Sequence, residues 1–187
     1  MKSITILASG EGTNAERIIR YFAAHPSVRV AVVVTNKAEA GVIRRAKSLG
    51  VPVEVLPASN FREGKVTDVL HRYGTDFIVL AGFLLRIPDD MLDTYPQRIV
   101  NIHPSLLPKY GGKGMYGSRV HEAVLAADET ESGITIHYIN EHYDEGDIIL
   151  QAKCPVLPDD TPDTLANRVH QLEYEHYPKV IEQLLKA

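Results

Sequence analysis

Apolar positions in the first hundred residues come in short runs, each followed by a stretch whose apolar residues recur at helical spacing. Residues 3–8 form the first run and end in a glycine turn. Within 15–24, Ile18, Ile19, Phe22 and Ala23 share one helical face. Residues 28–34 are β-branched and almost wholly apolar, as a parallel strand covered on both faces should be. The pattern then predicts a helix over 39–49 stopped by Gly50, a short strand over 53–56, a helix over 65–73 and a buried strand over 77–81. A short helical stretch at 89–93 leads to the run 98–100, which continues through Asn101-Ile102-His103 and stops at Pro104. Such alternation predicts an α/β fold with a doubly wound, mostly parallel, Rossmann-like sheet and right-handed crossovers.

Beyond Pro104 the rhythm changes. Residues 109–117 make a loop with four glycines, followed by a helix over 118–127. Runs at 133–139 and 147–153 are separated by a polar loop too short for a crossover, so they predict an antiparallel hairpin added to the sheet. A long final helix is expected to start at Asp160 or Thr161 as cap, with Pro162 in its first turn, and to run to Leu185 with a kink at Pro178. No repeat, low-complexity tract or linker interrupts residues 1–187, and one domain is expected.

Composition narrows the function classes. The chain is 44% hydrophobic and 24% charged with a formal net charge of -4, which argues against a general nucleic-acid or membrane-surface binder. The one cysteine, Cys154, cannot form an internal disulfide and reads as a buried, inert thiol. The amino-terminal apolar run is too short for a signal peptide and reads as a buried strand; no run is long enough to span a bilayer. A cytoplasmic protein acting on small molecules is the expectation.

Two places carry candidate chemistry. The turn Ser9-Gly10-Glu11-Gly12-Thr13-Asn14-Ala15 lies between the first strand and first helix, where close backbone approach and helix-start amides suit a phosphate. It also fits a relaxed dinucleotide fingerprint, but the second strand runs into Val34-Thr35-Asn36-Lys37 without the carboxylate that would hold a ribose, and NAD is set aside. A tight turn capped by Thr13 or Asn14 is the alternative. The second place is the end of the strand carrying Asn101 and His103, with Asp144 further on. Period two puts the amide and the imidazole on one side of the strand. An amide can hold a developing oxyanion, an imidazole can move a proton, and a carboxylate favours the imidazolium form. Alone, His103 would be a core histidine and Asn101 a strand-end group. His103, His121, His137 and His142 lack a tight ligand spacing, so no metal is implied.

Asn101-Ile102-His103-Pro104-Ser105-Leu106-Leu107-Pro108, with Leu80-Ala81-Gly82-Phe83, the segment from Tyr143 to Gln151 and the opening Gly10-Glu11-Gly12-Thr13-Asn14, resembles the folate-dependent formyltransferases over nearly the whole chain. Within them it is most similar to the branch acting on phosphoribosylglycinamide in de novo purine synthesis. The resemblance implies that 10-formyltetrahydrofolate, as co-substrate, gives its formyl group to the glycine amine of 5′-phosphoribosylglycinamide by direct attack through a tetrahedral intermediate. It implies Asn101, His103 and Asp144 as the catalytic trio, with Asp144 orienting His103. It places the ribonucleotide at Gly12, Thr13, Asn14, His170 and Glu173, and the folate at Leu84, Leu85, Arg86, Ile87, Asn101, Asn140 and Asp144. Arg62 or Lys65 is the candidate to meet the folate glutamate tail, and a cis peptide is expected before Pro108. Residues 1–100 would then form a nucleotide-binding half and 101–187 a catalytic and folate-binding half of a monomer or homodimer. Without the resemblance, Glu173 would read as a solvated face and Leu84 and Leu85 as core. The chain departs from many relatives at Leu85, where arginine is common, in the longer 109–117 loop and in a shortened segment at 61–65. Sister enzymes on transfer RNA or with hydrolase activity carry a further domain, for which 187 residues leave no room. A non-catalytic nucleotide-binding module would explain the glycine turn but not the trio.

Overall fold

The computed structural model describes residues 1–186. Seven strands form one sheet in the order β3-β2-β1-β4-β5-β6-β7. Strands β1 (Lys2–Leu7), β2 (Val28–Thr35), β3 (Val53–Val55), β4 (Phe77–Leu80) and β5 (Ile99–His103) are mutually parallel. Strands β6 (Glu131–Tyr138) and β7 (Ile148–Pro155) pair as the expected hairpin. The hairpin also joins β5 in antiparallel fashion, with Asn101 opposite His137.

Strand order reverses between β1 and β4, because β2 and β3 lie on one side of β1 and all later strands on the other. Crossovers on opposite faces leave a crevice at the carboxyl ends there, the place where open α/β sheets hold ligands. Helices α1 (Thr13–Phe22), α2 (Gly41–Ser48), α6 (Ser118–Ala126) and α7 (Pro162–Lys186) pack with Ile4, Ile6, Val33, Val100 and Ile102 on one face. Helices α3 (Ala58–Arg62), α4 (Lys65–Arg72) and α5 (Asp89–Thr94) cover Leu7, Val32, Val34, Ile78 and Ile99 on the other. Neighbouring strand residues thus alternate between two layers, as the pleat requires.

One expectation changes: helix α3 falls where none is predicted, since it has five residues and Phe61 alone is buried. Helix α7 carries Pro178 in its interior. It begins as expected: Thr161 Oγ1 accepts the Thr164 amide at 3.2 Å and Pro162 takes the first position. Tyr177, fully buried on α7, donates its hydroxyl to the Leu80 carbonyl at 2.8 Å and the Val100 carbonyl at 3.2 Å, tying the helix to the end of β4 and to the body of β5. Cys154 is buried, which pushes its thiol pKa up and suits an inert group. Among the described residues no helix is long and apolar enough to cross a membrane.

Candidate active site

Two clefts open at the carboxyl ends of β4 and β5, one on each face of the sheet. The larger, of about 510 Å³, lies on the α1, α6 and α7 side and is walled by Gly12, Asn14, Ile102, His121, His170 and Glu173. The other lies on the α5 side against Phe83, Leu85, Ile87, Asn101, Asn140 and Asp144. Asn101 and Ile102, adjacent on β5, therefore face different clefts. Each cleft draws on residues before and after 100: the larger lies at the strand-order reversal, where the turn after β1 meets the end of β4, and the other joins the segment after β4 to residues 139–144.

The glycine turn lies in the larger cleft. Gly12 is the N-cap of α1 in the left-handed region at φ 78, and no side chain caps the helix. The capped-turn expectation for Thr13 or Asn14 therefore fails: the cap is Gly12, whose left-handed φ costs glycine least, and Asn14 instead donates Nδ2–H to Glu173 Oε2 at 2.8 Å. Glu173 is 4% exposed, so it is no solvated face. It also accepts from His170 Nδ1 at 2.9 Å, and this hydrogen bond, with the carboxylate charge, raises the His170 pKa. Stability from a raised pKa is present below the unfolded value near 6.5 and fades as pH rises through the folded one. In Glu173→Gln the His170 midpoint is expected to fall, read by titrating the ring proton by NMR. Two buried polar atoms on this wall have no hydrogen-bond partner: Asn14 Oδ1 and His121 Nδ1. Burial lowers the His121 pKa, leaving a neutral ring. Unpaired buried polar atoms are costly without a ligand to meet them.

At the end of β5 the three predicted polar groups converge. His103 is 4% exposed; its Nδ1 lies 3.6 Å from Asp144 Oδ2, and its Nε2–H donates to the Tyr110 carbonyl at 2.8 Å. Asp144, at φ 55, accepts the Gly112 amide at 2.9 Å through the same Oδ2. The 109–117 loop thus folds down on both groups. The turn beneath is pinned by Thr135 Oγ1, which donates to the Ser105 carbonyl at 2.7 Å and accepts the Leu107 amide at 3.0 Å. Leu107-Pro108 is cis, as expected.

His142 contacts Glu141, not Asp144. His137, which sequence reasoning left among scattered histidines, sits instead beside Asn101 at 3.2 Å and Asp144 at 3.8 Å. The signal that finds it is the hairpin register opposite Asn101.

Of the residues expected at the folate, Leu85, Arg86, Ile87, Asn101, Asn140 and Asp144 line the α5-side cleft. Leu84 does not. Its side chain is 40% exposed, so it is not core either, and only its amide is engaged, donating to Ser9 Oγ at 3.0 Å. Arg86 donates to Asp89 at 2.8 Å and to the Glu141 carbonyl at 3.4 Å. Arg62 and Lys65 are exposed and on neither wall; Lys65 pairs with Glu63.

A family model described as "Formyl transferase" matches residues 2–181. The chloroplastic phosphoribosylglycinamide formyltransferase of Arabidopsis thaliana is 42% identical over 188 residues, covering 96% of this chain. This chain spans only 64% of that relative's length. The phosphoribosylglycinamide formyltransferase of Haemophilus influenzae is 37% identical over 97% of this chain and 86% of its own. The crystal structure of phosphoribosylglycinamide formyltransferase from Bacillus halodurans superposes with a TM-score of 0.89 at 37% identity, covering 98% of this chain and 95% of that one.

Proposed function

The chain belongs to the formyl transferase family, and from that premise we propose that it transfers the formyl group of 10-formyltetrahydrofolate to the glycine amine of 5′-phosphoribosylglycinamide in de novo purine synthesis. The observation that carries this reading is the approach of buried His103 to Asp144 at 3.6 Å, where Asp144 and Asn101 line the α5-side cleft and Ile102, between Asn101 and His103 on β5, lines the other. The α1-side cleft has a glycine turn and free helix-start amides for a phosphate monoester. It also has the Glu173 carboxylate to hold an amine. The α5-side cleft has the apolar Leu85 and Ile87 and backbone groups around Asn140 for a flat heterocycle.

In this assignment the ribonucleotide amine adds to the formyl carbon, and the carbonyl oxygen takes the negative charge. The Asn101 amide and the His103 ring donate to that oxygen. The carbon–nitrogen bond to folate then breaks; the attacking amine loses one proton and the departing nitrogen gains one, so no net proton is released. His103 serves that exchange once its Nε2–H is redirected from the Tyr110 carbonyl, with Asp144 holding the other side of the ring. Binding energy from the phosphate and the heterocycle, both remote from the reacting carbon, fixes the geometry of attack.

A paired-substrate assay tests the reading. Loss of 10-formyltetrahydrofolate is expected only when phosphoribosylglycinamide is present; loss without it would mean a hydrolase, and no loss in either case an inert binder. Saturating ribonucleotide is also expected to slow hydrogen exchange at the amides of Gly12, Thr13 and Asn14. Unchanged exchange there would move the phosphate elsewhere.

A further inference from the structure

His137 stands on β6 opposite Asn101 and its side chain is 1% exposed. Its Nδ1 lies 3.0 Å from the Tyr138 carbonyl oxygen, an atom that only accepts, so Nδ1 carries the hydrogen. In the neutral ring Nε2 is then a bare lone pair. Facing it at 3.2 Å is Asn101 Nδ2. An amide has one end that donates and one that accepts, and only the nitrogen end can meet a lone pair.

We propose that His137 is a positioning residue that fixes the facing of the Asn101 amide: by accepting one of its two N–H hydrogens, it leaves the other directed at the oxygen that becomes negative during formyl transfer. The inference rests on the transferase reading for its second half only; the hydrogen-bond direction stands without it. Burial lowers the His137 pKa and keeps the ring neutral, against the Tyr138 carbonyl and Asp144, which favour the charged form. The titratable groups facing it are Asp144 from the 139–147 loop and His103 from β5. Protonation would turn Nε2 into a donor, and the amide would swing its oxygen toward the ring and toward the developing charge. A loss of rate on the acid side follows, lying below the ordinary histidine range.

The test is a set of four variants, Asn101→Ala among them, with a spectroscopic measurement. Removing the acceptor in His137→Leu is expected to lower kcat by about 10²-fold, the size seen when one oxyanion donor is lost, with KM for both substrates nearly unchanged. His137→Gln, whose carbonyl can accept the same hydrogen, is expected to restore most of that rate and to lack the acid-side loss. In an Asn101→Ala background, His137→Leu should cost less than about threefold more, since the two act as a unit. Nitrogen NMR of the unliganded protein should show Nδ1 protonated and Nε2 bare. A protonated Nε2 at neutral pH, a kcat in His137→Leu within about threefold of the parent, or a full additional loss beside Asn101→Ala would each overturn the proposal. Should the leucine variant fail to fold, the glutamine variant and the nitrogen shifts decide. A parent protein that transfers no formyl group while Nε2 is bare defeats the functional reading and leaves the hydrogen-bond assignment standing.

Discussion

His103→Ala is expected to lower formyl transfer by about 10³- to 10⁴-fold, the upper range for loss of a general acid–base group, while the protein stays folded. Both polar contacts of the ring are to loop groups, the Tyr110 carbonyl and Asp144, and neither belongs to the sheet ladder. Their loss costs roughly 0.5–1.5 kcal/mol each, which a domain of this size withstands. Asp144→Ala is expected to lose nearly as much rate, because it leaves the ring without its carboxylate and frees the Gly112 amide that anchors the covering loop. Steady-state rates beside a thermal midpoint check both. Near-normal turnover in the two variants, with intact folds, would remove the proton-transfer assignment. The double variant sharpens the test: groups acting as a unit lose little more together than singly.

Gly12→Ala is expected to damage stability and ribonucleotide binding together. A β-carbon there would approach Val42 Cα to 2.7 Å and press on the Val42 side chain as well. Backbone cannot step aside as a long side chain can. The left-handed φ of 78 adds roughly 1–2 kcal/mol for any residue with a β-carbon, and overpacking roughly 1–3 kcal/mol more. A total near 2–5 kcal/mol would show as a clear fall in the denaturant midpoint. The start of α1 would shift, so the amides proposed to meet the phosphate would lose their aim and affinity would fall with them. Gly10→Ala is the control for stability: nothing lies within 4 Å of its would-be β-carbon, and a change within about 0.5 kcal/mol is expected. Equal destabilisation in the two variants would show that the contact with Val42 is not what demands glycine.

How far these features were legible in the sequence varies with their physical origin. The central parallel strands are readable because burial on both faces writes them as mainly apolar runs, and Phe77–Leu80, apolar and buried throughout, is the clearest. Helix α3 is not, since five residues cannot display a period of 3.6. Glu173 and His137 escape residue-by-residue reading for a different reason. The burial of Glu173 depends on Asn14 and His170 closing over it from α1 and α7. The partners of His137 are set by strand pairing, and no local spacing encodes them. Leu84 shows the converse error, an apolar residue that looks like core yet ends exposed, because its backbone amide rather than its side chain is what the turn uses.

The pairing of β6 with β7 slips between Ile136 and His137, where Ile149 is left as an extra residue on the outer strand. Such bulges bend and re-aim the strands that carry them, and this one sits beside the imidazole that meets Asn101. Deleting a single residue from β6 ahead of His137, with its pairing to β5 kept, would turn that ring toward the α7 layer and put Tyr138 under the Asn101 amide. Efforts to broaden the acceptors this scaffold takes therefore have latitude in its surface segments, while the count of residues along this hairpin must be conserved.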